Sequence, residues 1–67
     1  MVEFDRRDTL GGGFTIDVLS HRLLAGQIRK RPDTGAFRYY RGAHNQLTPA
    51  YEDRDLEALK LRVRQNP

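Results

Sequence analysis

Arg22, Arg29, Lys30, Arg31, Arg38 and Arg41 fall within one stretch that holds a single acid, Asp33. That stretch carries +5 while the rest of the chain sums to −2, against a total of +3. Most of these cations are arginines, whose planar guanidinium suits paired contacts to phosphate, carboxylate or guanine. Tyr39 and Tyr40 lie among them. Basic groups interleaved with aromatics point to recognition of an anionic polymer by side chains on one surface.

Catalytic chemistry has less to work with. His21 and His44 stand apart in polar stretches read as loops, with no cysteine anywhere in the chain and no paired carboxylates beside them. Neither belongs to a cluster with metal-ligand spacing, so no metal, cofactor or small-molecule substrate is expected. Gly11-Gly12-Gly13 is not followed by a Lys-Ser/Thr pair, so it is no phosphate loop. The reading is a non-enzymatic domain.

The elements that must position the cations follow from local patterns. Residues 14–19 (Phe-Thr-Ile-Asp-Val-Leu) alternate apolar and polar, the signature of a half-buried strand. A second strand is expected over 23–31 and a third over 36–41. Between these two, Pro32-Asp33-Thr34-Gly35 supplies a preset φ, a side chain that bonds forward and a left-handed closing residue. If those four residues are the loop, Lys30 faces Phe37, Arg29 faces Arg38, Ile28 faces Tyr39 and Gln27 faces Tyr40. Asp53 reads as an N-cap for a helix over about 54–64, with acids first and cations last to complement the macrodipole. The fold class is therefore α+β, a three-stranded antiparallel meander packed on one C-terminal helix (βββα). Residues 1–13 read as a flexible N-terminal arm with a glycine hinge, and 14–67 as a single domain.

One face of that sheet collects Phe14, Ile16, Val18, Leu24, Ile28, Phe37 and Tyr39, matched by Leu56, Leu59 and Val63 on the helix. The other carries Gln27, Arg29, Arg31, Arg38 and Tyr40, with Ala25, Ala36, Leu19 and Leu23 beside them. No element is left to cover it, so it is expected to be open and basic.

Two functions suit such a face. The first is binding of double-stranded DNA, with Gln27, Arg29, Arg31, Arg38 and Tyr40 against the duplex and Arg6 and Arg7 adding contacts from the arm. The element order and the stretch from Arg29 to Tyr40 resemble AP2-type domains and the arm-binding N-terminal domain of phage-type tyrosine integrases. That resemblance implies insertion of the sheet into the major groove. The alternative is a protein-interaction or homo-oligomeric module whose basic face is merely solvated, with contacts through Leu61 or through Leu19 and Leu23. No run is apolar and long enough to span a membrane and no export signal is evident, so a cytoplasmic protein is expected.

Overall fold

The structure, a computed structural model, describes residues 1–43 and 47–67; His44 lies outside the described residues. In chain order the elements are β1 (Val2–Asp8), β2 (Phe14–Ser20), β3 (Leu23–Lys30), β4 (Phe37–Arg41), β5 (Tyr51–Asp53) and the helix α1 (Leu56–Gln65). The strands form one antiparallel sheet in the order β1-β2-β3-β4-β5. The α+β class with a C-terminal helix holds, but the sheet has five strands rather than three.

Turn chemistry sets the central hairpin. Gly35 adopts a φ of 76°, its N–H donates to the Arg31 carbonyl, and Arg31 N–H donates to the Ala36 carbonyl. The β3–β4 pairing is the one this loop dictates: Lys30↔Phe37, Arg29↔Arg38, Ile28↔Tyr39 and Gln27↔Tyr40.

The two additional strands lie at the edges. Val2–Asp8, expected as a loose arm, pairs along its length with β2, from Val2↔Ser20 to Asp8↔Phe14. An edge strand needs only one apolar face, and Val2 and Phe4 are enough to join the core. Gly11-Gly12-Gly13 belongs to the turn between β1 and β2 rather than to a hinge. Thr9 N–H donates to Gly13 O, Gly12 N–H donates to Thr9 O, and Gly12 takes a φ of 85°. The short β5 pairs Tyr51 with Tyr39 and Asp53 with Phe37. Because Asp53 is held in that strand, the helix cap moves two residues on. Asp55 accepts from the N–H groups of Glu57 and Ala58, and Asp53 in turn accepts from Asp55 N–H.

A register shift between Val18 and Leu19 also departs from the simple alternation. Val18 faces Gly26 but Leu19 faces Leu24, so Ala25 is an extra residue in β3. Ala25 packs on the core instead of Leu24, which is rotated to the opposite face and left 45% exposed.

Ile16, Val18, Ile28, Tyr39, Leu59 and Val63 form the buried core, with Phe14, Phe37, Tyr51 and Leu56 around it. Tyr39 is fully buried and lies over Gly26. A Cβ at that glycine would come within 2.7 Å of the Tyr39 side chain and 2.4 Å of the Tyr40 carbonyl. Tyr51 stacks on Tyr39 with ring centroids 6.2 Å apart.

Two stability measurements check this reading. Gly26→Ala has no room to form without displacing backbone, and should cost about 1–3 kcal/mol in urea unfolding. The β2–β3 turn is the two-residue loop His21-Arg22, and both take positive φ, 53° and 65°. Side chains there are disfavoured, whereas Asn-Gly suits such a turn. The double substitution His21→Asn/Arg22→Gly should therefore stabilise by roughly 1 kcal/mol.

Candidate interaction face

The face of the sheet away from α1 is assembled from alternate residues of every strand. One cross-strand row reads Arg7, Thr15, Arg29, Arg38, Glu52, and the next reads Asp5, Asp17, Gln27, Tyr40. The fold thus brings Gln27, Arg29, Arg31, Arg38 and Tyr40 to one surface, with Arg7 in line. Arg6 is on the other face, its guanidinium 4.2 Å over the Phe14 ring.

Carboxylates stand among these cations. Arg7 Nε lies 2.8 Å from Asp17 Oδ2, and Arg7 Nη2 lies 3.7 Å from Asp5. Gln27 bridges two charges, donating from Nε2 to Asp17 at 3.0 Å and accepting at Oε1 from Arg29 Nε at 2.6 Å. Arg29 then covers the Tyr40 ring at 4.9 Å. On the far side Arg38 donates to Glu52, and Arg31 pairs with Asp33 at 2.6 Å and with Glu52 at 3.8 Å. The network runs from Asp5 across β1, β2, β3 and β4 to Glu52 on β5.

Two consequences bear on function. The carboxylates of Glu3, Asp5, Asp17, Asp33 and Glu52 stand on or beside this face with the guanidinium groups of Arg7, Arg29, Arg31 and Arg38, so these nine groups together carry no net positive charge. Tyr40, expected as an exposed contact, is only 9% exposed beneath the guanidinium groups. Asp17 is legible as an outward residue in the alternation of β2. Asp5 and Glu52 are not, because they ride on the two strands whose patterns are too weak to read.

Ion pairing also marks the titration of the face. The hydrogen bond from Arg38 holds the Glu52 carboxyl below its ordinary value, and the bond from Arg31 does the same for Asp33. Glu52, then Tyr40, stabilises the charged form of Arg38.

Beyond the network the face turns apolar. Leu24, exposed by the bulge, sits opposite the half-buried Leu19. Leu23, expected on this face, pairs with Ser20 and so lies on the helix side of the sheet, where it is 73% exposed. On the helix, Leu61 faces solvent among Glu57, Lys60 and Arg64. Among the described residues no group of His, Cys, Asp and Glu could hold a metal ion, and no helix is long and apolar enough to cross a membrane. Comparison with family models, curated proteins and solved structures finds no match for this chain.

The sign of the pH dependence follows from the lowered carboxyls. A carboxyl that titrates lower when folded stabilises the fold above its ordinary value, 4.5 for Glu52 and 3.8 for Asp33, and loses that contribution as pH falls through the lowered value. Unfolding midpoints measured from pH 6 downward should therefore fall less steeply below about 4.5 in Glu52→Gln than in the parent chain.

Proposed function

We propose that this domain is a non-catalytic protein-interaction module that docks a partner protein on the open face of its sheet. The observation that carries the reading is the mutual pairing of the charges there. Guanidinium groups already bound to carboxylates, with carboxylates beside them, offer phosphate little net attraction. The same arrangement suits a protein surface, where paired charges set orientation and an apolar patch supplies burial. Leu19 and Leu24 provide that patch. Its exposure is supported by a bulge in β3, and bulges often serve to re-aim side chains at functional surfaces.

Duplex DNA is the competing ligand, and a direct titration separates the two. Mixed-sequence duplex should bind weakly if at all at about 50 mM salt and leave Arg29→Ala/Arg38→Ala indistinguishable from the parent. A photoreactive residue at position 19, opposite Leu24, should give protein adducts in cells that Leu24→Asp suppresses, while the same probe at position 10 should not depend on Leu24. Duplex affinity that falls steeply with salt and disappears in the double arginine variant would reverse the assignment.

A further inference from the structure

The free edge of β1 is a second surface, separate from the open face. Met1 O accepts from His21 N–H, and Thr9 N–H donates to Gly13 O. With the register Val2↔Ser20 through Asp8↔Phe14, these bonds place the odd-numbered residues of β1 in hydrogen-bonded pairs with β2. The N–H and C=O groups of Val2, Phe4, Arg6 and Asp8 therefore point outward, at the edge of the sheet.

We propose that two copies of this chain pair antiparallel through β1, about a two-fold axis at Asp5, to make one continuous ten-stranded sheet with both helices on the same side. The register is set by the backbone and the charges together. Centring the axis on Asp5 pairs Phe4 with Arg6 of the second copy and Val2 with Asp8, so every outward main-chain group finds a partner. On the open face it places Glu3 opposite Arg7, an ion pair repeated by symmetry. On the helix side it places the Arg6 guanidinium beside the Phe4 ring, a cation–π contact also repeated.

Neighbouring registers are poorer. Moving the axis to Phe4 sets Asp5 against Glu3 twice. Moving it to Arg6 also makes two ion pairs, Asp5 against Arg7, but it opposes the two Arg6 side chains and sets Val2 and Glu3 beyond the end of the second strand, which loses main-chain pairing. The preferred register has one mismatch, Asp5 against its own copy, with Arg7 3.7 Å from each Asp5 to offset it.

Cysteine placement tests the register in the intact chain, which has no cysteine of its own. Asp5 and its copy form a non-hydrogen-bonded pair, with Cα atoms roughly 4.5 Å apart, within the span a disulfide bridges. Asp5→Cys should oxidise to a covalent dimer at micromolar concentration, at least about tenfold faster than Glu3→Cys, whose copy lies roughly 13 Å away along the ladder. Asp5→Asn should tighten dimerisation about two- to fivefold in sedimentation equilibrium by removing the like-charge pair. A parent chain that stays monomeric throughout the concentration series, equal crosslinking at positions 3 and 5, or weaker association in Asp5→Asn would each overturn the proposal. None of these outcomes involves Leu23, Leu24, Arg29 or Arg38, so they leave the reading of the open face to its own test.

Discussion

The contact of the Tyr39 ring with the bare backbone of Gly26 organises the core. A large aromatic on a central strand must lie flat to be covered by a single helix, and a glycine on the neighbouring strand makes the space for it. With Tyr39 fully buried there, Tyr51 can stack on its outer side and bring β5 into the sheet. Leu59 and Val63 then close over the same cluster from α1. The cost is a phenolic oxygen with no hydrogen-bond partner among the described residues, and burial accordingly pushes the Tyr39 hydroxyl above its ordinary value. In so small a core the ring's volume outweighs the polar atom it carries.

Once Tyr39 faces inward, alternation forces Arg38 and Tyr40 outward, and Arg29 and Gln27 follow through the β3–β4 register. A row of guanidinium groups across neighbouring strands would be repulsive by itself. The edge strands relieve this repulsion. Asp5 and Arg7 arrive from β1 and Glu52 from β5, and Gln27 links Asp17 to Arg29 by giving its amide to one and its oxygen to the other. Each exposed pair contributes little to stability. Their collective effect is on the field: a surface whose sequence reads as basic presents alternating charge.

This explains which parts of the fold were legible in the sequence. The central hairpin could be read because two independent signals agreed, the turn residues from Pro32 to Gly35 and the alternation on either side. β1 could not, because Arg6, Arg7 and Asp8 interrupt its apolar period and a solvated edge tolerates such residues. β5 was too short and polar to register, and its absence from the reading put the helix cap on Asp53 instead of Asp55. Leu24 reads as a core residue and Leu23 as an open-face one because a bulge leaves no mark in a single sequence. Gln27, Arg29, Arg31, Arg38 and Tyr40 share one face as the hairpin register requires, while Arg6 lies on the other, and Asp5 and Glu52, which change the character of that face, ride on the two edge strands.

The two edges of the sheet are finished differently, and the difference has physical meaning. At one side β5 spans only Tyr51–Asp53 and leads at once into the helix, whose end is tied back by Arg41 bonding to the carbonyls of Asn66 and Pro67 and to the Tyr51 hydroxyl. Such an edge is too short and too crowded to extend the sheet. At the other side β1 runs for seven residues with its outward backbone groups in a regular row. Charged side chains usually protect an edge of that length by repelling a second strand. Here the signs differ between its ends, so reversal of the strand brings unlike charges together instead. A chain of 67 residues without disulfides has little core to spare, and any partner that binds only the folded form adds to its stability by mass action. Interaction surfaces on so small a domain therefore act on its folding equilibrium as well as on its associations.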